Sequence, residues 1–245
     1  MKAYGLIGKS LLHSFSKVYF DHKFDLEKIA DTTYQLYEIA SIDELKALIQ
    51  KEHLLGLNVT IPYKEKVIEH IDEIDIHAEQ IGAVNCIRIR DGLKKGYNTD
   101  YIGFKMAIQN HLKGIHRSAL VLGNGGAAKA VKYVLQEMGI DYLVVERNKG
   151  NVKTTSYESL RKQDFEKNTL IINCTPLGTF PNISECPNIP YQFITNRHLC
   201  VDLVYNPRQT TFLSNCLSFG AEVINGEKML EIQAEESWKL WNEIC

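Results

Sequence analysis

Apolar positions along the chain recur in two rhythms, and the pattern switches between them repeatedly. Residues 4–7 form a short apolar run that predicts a strand, and 16–24 carry apolar side chains at helical spacing. Residues 33–39 alternate like a strand, and 55–60 predict another. Between them, Ser41-Ile42-Asp43-Glu44 fits a capping box: Ser41 accepts from the third helical amide while Glu44 reaches back. Leu45, Leu48 and Ile49 follow at helical spacing, and Pro62 suits an early position of the next helix. Residues 84–89 and 93–97 flank Asp91-Gly92, a two-residue hairpin signal.

From about residue 100 the rhythm becomes a regular strand–helix alternation. Residues 118–122, 142–146, 170–174 and 200–204 are apolar runs of the length expected for buried parallel strands. Helices are predicted over 127–138, stopped by Gly139, over 211–219, stopped by Gly220, and over 227–241, with a last short strand at 222–224. The fold class is therefore α/β, as two α/β domains joined by a helix near 101–112.

Composition narrows the partners. The chain has 245 residues, 44% hydrophobic and 24% charged, with a net charge of −2. That balance gives no field to attract nucleic acid or an anionic membrane, so a small molecule is the expected partner. The six cysteines show no C-x-x-C pair and no dense spacing, the N-terminus shows no secretory leader, and no run approaches membrane-spanning length. A cytoplasmic protein is expected. The eight histidines show no ligand spacing, so no catalytic metal is expected.

Candidate chemistry begins at Gly123-Asn124-Gly125-Gly126-Ala127-Ala128, which follows a predicted strand and opens a predicted helix. Gly123 permits the tight turn, Gly125 lets a pyrophosphate approach the backbone, and Ala128 allows close helix–strand packing; Gly126 and Ala127 lie at the helix N-terminus. The next strand ends in Glu146-Arg147-Asn148-Lys149. Glu146 suits the free ribose hydroxyls of NAD, whereas Arg147 and Lys149 suit the 2′-phosphate of NADP; the two cations outnumber the carboxylate, and NADP is the expected coenzyme, with NAD the alternative.

In the first half, Ser14 and Ser16 lie between a strand and a helix, where either can simply cap that helix. Asn58 and Thr60 share one strand face, with Lys64 a turn beyond, a position that by itself suits a solvated helix-face lysine. Asn85 and Asp100 lie at element ends, and Asp100 precedes a helix that it can cap. Asn173 and Thr175 can satisfy turn backbone, and His13 reads as a local structural residue. Gln233 sits among Leu230 and Ile232, where an unpaired amide is costly, so it needs a ligand or a partner.

These segments, in order, resemble the shikimate dehydrogenase family: Gly8…His13-Ser14-Phe15-Ser16, Asn58–Lys64, Gly82–Asn85, Asn98–Asp100, Gly123–Ala128, Asn173–Gly178, Asp202–Pro207 and Gly226–Ala234. Departures are Ser10 and Lys17, where prolines are usual, and Glu146-Arg147-Asn148 in place of Asn-Arg-Thr. The resemblance implies a reversible NADP-dependent reduction of 3-dehydroshikimate to shikimate. A substrate and catalytic domain would cover 1–103 plus a terminal helix at about 226–245, and a Rossmann-like NADP domain 104–225. It implies Lys64 as general acid oriented by Asp100, Ser14 and Ser16 on the substrate carboxylate with Tyr205 nearby, and Asn58, Thr60, Asn85, Asp100 and Gln233 on ring hydroxyls. Thr175 and Gly226 would lie along the nicotinamide half of the coenzyme. A monomer or homodimer is expected. The alternatives are an NAD-using quinate/shikimate dehydrogenase and a non-catalytic dinucleotide sensor, which would be expected to lack Lys64 or Asp100.

Overall fold

Continuous burial along short apolar runs and amphipathic faces between them produce two units, each with one six-stranded sheet and its helices. The structure, a computed structural model, describes residues 1–12, 14–147 and 153–243. It divides into two units, Met1–Ile102 with Glu231–Cys245, and Gly103–Leu230.

The first unit contains β1 (Lys2–Gly8), α1 (Ser16–Leu26), β2 (Thr32–Glu38), α2 (Leu45–Glu52), β3 (Leu54–Val59), β4 (Glu73–Ile74), α3 (Ile76–Ile81), β5 (Cys86–Arg90) and β6 (Leu93–Tyr97). Its sheet has the order β2-β1-β3-β5-β6-β4. β1 pairs parallel with β2 and β3, whereas β5 runs antiparallel to β3 and β6. The β5–β6 turn has positive φ at both Asp91 and Gly92, the geometry a two-residue hairpin of this hand requires.

Alternation along these strands separates two cores. Ile7, Leu57, Val59 and Ile87 belong to one cluster with Leu45 and Ala78. Tyr4, Leu6 and Cys86 belong to the other with Phe20, Tyr34 and Trp241. At Gly56 a Cβ would collide with the Trp241 indole, whose Nε1 donates to the Ile87 carbonyl at 3.0 Å. Absence of a side chain there lets the terminal helix lie against the sheet.

Following α4 (Asp100–Ile108), the second unit carries β7 (Ser118–Leu122), α5 (Gly126–Glu137), β8 (Asp141–Glu146), β9 (Thr154–Ser156), α6 (Lys162–Lys167), β10 (Leu170–Asn173), β11 (Leu199–Asp202), α7 (Thr211–Ser218) and β12 (Glu222–Ile224). The last helix, α8 (Glu227–Asn242), starts there and its residues from Glu231 on belong to the first unit. The sheet is parallel throughout, in the order β12-β11-β10-β7-β8-β9. Counted from β7, this is the doubly wound order 3-2-1-4-5-6, whose switch point lies between β7 and β10. Every residue of β7, β10 and β11 is buried, which is why these strands read as unbroken apolar runs.

Some local expectations are corrected. Pro62 does not open a helix; it follows a cis bond in the turn between β3 and the 3-10 segment Lys66–His70. The capping box at Ser41 and Glu44 forms as expected, with Glu44 Oε1 accepting from Ser41 N at 3.0 Å, and Ser41 Oγ accepts in addition from Asp43 N at 3.3 Å. The short elements β4, α3, β9 and α6 carry too few residues for a periodic signal, although Asp75 and Gly82 cap α3 at its two ends.

Candidate active site

Lys64 is held from both sides of the chain. The preceding Tyr63 is buried and donates its hydroxyl to the Ile39 carbonyl at 2.6 Å, and the Lys64 carbonyl accepts from Val84 N at 2.7 Å. The side chain, on the turn after β3, places Nζ 2.6 Å from Asp100 Oδ2, with 14% and 8% of the two side chains exposed. The other carboxylate oxygen of Asp100 accepts from Asn85 Nδ2 at 2.8 Å. Asp100 thus spends its oxygens on side chains, and it is Asn98 Oδ1 that accepts from Tyr101 N at 3.3 Å at the start of α4. A helix cap alone does not account for Asp100.

Asn85 is oriented unambiguously. Its Oδ1 accepts from Thr99 N at 2.6 Å, which turns Nδ2 toward Asp100 and toward Gln233 Oε1 at 3.5 Å. Asn58 is fixed similarly: Oδ1 accepts from the Tyr34 hydroxyl at 2.9 Å, and Nδ2 donates to Ser237 Oγ at 2.9 Å and to the Asn85 carbonyl at 3.3 Å. The Tyr34 phenol also hydrogen-bonds Ser16, and burial raises its pKa well above the usual value, so it stays a neutral donor. Ser237 additionally donates to the Gln233 carbonyl at 2.8 Å and lies 3.2 Å from Thr99 Oγ1.

The first unit therefore brings Ser16, Asn58, Asn85, Lys64, Asp100 and Gln233 into one connected polar cluster. Ser14 is adjacent, and its hydroxyl accepts from Ser16 N at 3.3 Å, so a local turn contact is part of its role. Thr60, at the end of β3, donates its backbone N–H to the Ile7 carbonyl at 3.0 Å. Sequence reasoning missed Tyr34, Thr99 and Ser237. Ser237 had a signal, since it lies one helical turn after Gln233; Tyr34 reads as an ordinary core aromatic.

In the second unit, Gly123 has φ +94°, and a Cβ there would sit 2.8 Å from Thr175 Cγ2. A Cβ on Gly125 would meet nothing within 4 Å, so that residue faces open space. Gly125 is the N-cap of α5 and supplies no side-chain cap, which leaves the first amides of Gly126, Ala127 and Ala128 to an outside acceptor. Asn124 joins Glu146 and Lys132: its Nδ2 donates to Glu146 Oε2 at 3.3 Å and its Oδ1 accepts from Lys132 Nζ at 2.7 Å. Lys132 was not anticipated. Arg147 is exposed just past β8, and Lys149, like His13, lies outside the described residues. Tyr205 is half-buried on the loop after β11, in the second unit. Gly226 has a packing reason of its own, because a Cβ would overlap the Leu203 carbonyl. Among the described residues no cluster of His, Cys, Asp or Glu could hold a metal ion, and no helix is long and apolar enough to cross a membrane.

Comparison with known proteins gives this geometry a context. Residues 6–87 match the family model described as the shikimate dehydrogenase substrate binding domain. The chain is 40% identical to a Clostridium beijerinckii protein named shikimate dehydrogenase (NADP(+)), over 99% of this chain and 93% of the relative. Among solved structures it is similar to shikimate dehydrogenase 1 of Peptoclostridium difficile, with 32% identity, a TM-score of 0.87 and coverage of 100% of this chain and 94% of that one. It is also similar to shikimate 5-dehydrogenase of Thermus thermophilus in complex with NADP(H) and shikimate, with 28% identity, a TM-score of 0.85 and coverage of 100% and 94%.

Proposed function

The chain belongs to the shikimate dehydrogenase family, and on that footing we propose that it catalyses the reversible, NADP-dependent reduction of 3-dehydroshikimate to shikimate. The observation that carries the reading is the shielded Lys64–Asp100 pair, tied through Asn85 to Gln233. A dinucleotide sensor without turnover has no need of such a pair.

The residues of the second unit fit a dinucleotide. The open space over Gly125 and the uncapped amides of α5 suit a pyrophosphate, and Arg147 suits a 2′-phosphate. When bound, NADPH supplies the hydride. As the substrate ketone is reduced, its oxygen gains negative charge; the Lys64 ammonium stabilises that charge and gives the oxygen its proton. Asp100 aims the ammonium, and Asn85 in turn fixes Asp100. In the reverse direction, neutral Lys64 takes the hydroxyl proton. Ser14 and Ser16 donate to the substrate carboxylate, with Tyr205 near it, while Asn58, Thr60, Asn85, Asp100 and Gln233 read the ring hydroxyls. Thr175 and Gly226 serve the nicotinamide half of the coenzyme.

Glu146 favours a second reading, an NAD-using quinate/shikimate dehydrogenase, because a carboxylate suits a free ribose hydroxyl. Nicotinamide absorbance with shikimate and quinate crossed against NADP and NAD decides between them. The proposed function predicts the highest kcat/KM for shikimate with NADP; quinate turned over best with NAD would overturn it. A cytoplasmic monomer or homodimer is part of this proposal, and the free thiols of the five described cysteines support a reducing compartment.

A further inference from the structure

Asp202, the last residue of β11, is fully buried yet takes no part in the steps above. Its Oδ1 accepts from Asn173 Nδ2 at 2.9 Å and from Val204 N at 3.0 Å, and its Oδ2 accepts from the Thr210 hydroxyl at 2.6 Å. All three donors are neutral. Desolvation outweighs them and pushes the carboxyl pKa up to about 6. An amide or hydroxyl would be less costly to bury here than a carboxylate, unless the acceptor geometry of the anion is needed.

The partners of Asp202 show where that geometry leads. Asn173, at the end of β10, has its Nδ2 drawn to Asp202, which turns Oδ1 to accept from Thr175 N at 3.0 Å and from Thr175 Oγ1 at 2.6 Å. The Thr175 methyl then lies only 2.8 Å from where a Cβ on Gly123 would be. Cys174 N donates to the Leu122 carbonyl and Leu203 N to the Asn173 carbonyl, so the ends of β7, β10 and β11 are laced together. Thr210 accepts from Leu213 N at 3.2 Å and so also caps α7. In a doubly wound sheet the ligand lies over these carboxyl ends, at the switch between β7 and β10. The adenosine ribose is read at the end of β8, so the other half of a dinucleotide lies toward β10 and β11.

We propose that Asp202 is a positioning residue for the coenzyme: through Asn173 and Thr210 it sets the Thr175 turn against the Gly123 turn, and so shapes the nicotinamide side of the dinucleotide site. This rests on the dinucleotide-binding part of the proposed function.

The test is direct binding, by fluorescence titration of the full-length protein with NADPH and, separately, with 2′,5′-ADP, which carries only the adenosine end. Asp202→Asn, which replaces one acceptor oxygen with a donor, should raise the Kd for NADPH about tenfold or more and leave that for 2′,5′-ADP within about twofold. Thr210→Val should act in the same direction, and Thr210→Ser, which keeps the hydroxyl, should bind as the parent does. Should Asp202→Asn not fold, the Thr210 pair carries the same comparison. An unchanged NADPH Kd in the folded variants, or equal weakening of both ligands, would overturn the proposal and leave Asp202 a purely structural group. A parent protein that binds neither ligand would instead overturn the dinucleotide reading on which it stands.

Discussion

The Ser16 hydroxyl, proposed to bind the substrate carboxylate, also hydrogen-bonds the Tyr34 phenol that in turn holds Asn58. Ser16→Ala should raise KM for shikimate about 10- to 100-fold, the equivalent of one lost hydrogen bond to a charged group, with a smaller effect on kcat. Steady-state kinetics with saturating NADP checks it; an unaltered KM would make this serine a local structural residue. On the coenzyme side, Glu146 is engaged by Asn124, which is itself engaged by Lys132. A carboxylate near a phosphate dianion costs about 1 kcal/mol per charge pair at ~4 Å even in bulk water. Glu146→Asn should therefore widen the preference for NADP over NAD in kcat/KM, and Arg147→Ala should collapse it. The opposite pattern would make Glu146 the dominant reader of the ribose.

Two buried histidines make the element scale testable in the second unit. His116 precedes β7 and places Nδ1 3.2 Å from Thr169 Oγ1; His198 precedes β11, with Nε2 3.0 Å from the Phe165 carbonyl. Burial lowers the pKa of both below the ordinary 6.5. Folding therefore favours the neutral rings. Their contribution to stability is fully present above about pH 6.5 and is lost as pH falls through the lowered folded-state values, with a slope of up to about 1.4 kcal/mol per pH unit for each ring. His198→Gln should flatten the loss of urea-unfolding stability between about pH 7.5 and 5.5; a loss as steep as the parent's would remove His198 from this account. Strands and helices were legible where burial is one-sided or continuous: β7, β10 and β11 are buried throughout, and α5 has apolar residues on one face only. Elements such as β4, with two residues, and α6, with six, form because neighbours hold them, and leave little periodic trace. Similarly, Asn85 and Asp100 were visible as polar residues at element ends and Lys64 only through the motif around it, whereas Tyr34 and Ser237 were hidden by ordinary surroundings.

For the whole molecule, a net charge of −2 leaves no long-range attraction for an anionic substrate or coenzyme, so anion recognition must be local. In the proposed function that need is met separately in each unit: by Ser14 and Ser16 at the start of α1 with the Lys64–Asp100 pair in one, and by uncapped helix amides and Arg147 in the other. The proposed mechanism depends on one proton at one atom, Lys64 Nζ. The direct measurement is kcat and KM of Lys64→Ala with shikimate and NADP, beside a thermal melt showing that the variant is folded. A kcat lowered by about 10²–10⁴, with KM for shikimate changed far less, is the result this mechanism predicts, because the general acid goes while the carboxylate and ring contacts stay. A folded variant with near-parental kcat would contradict it.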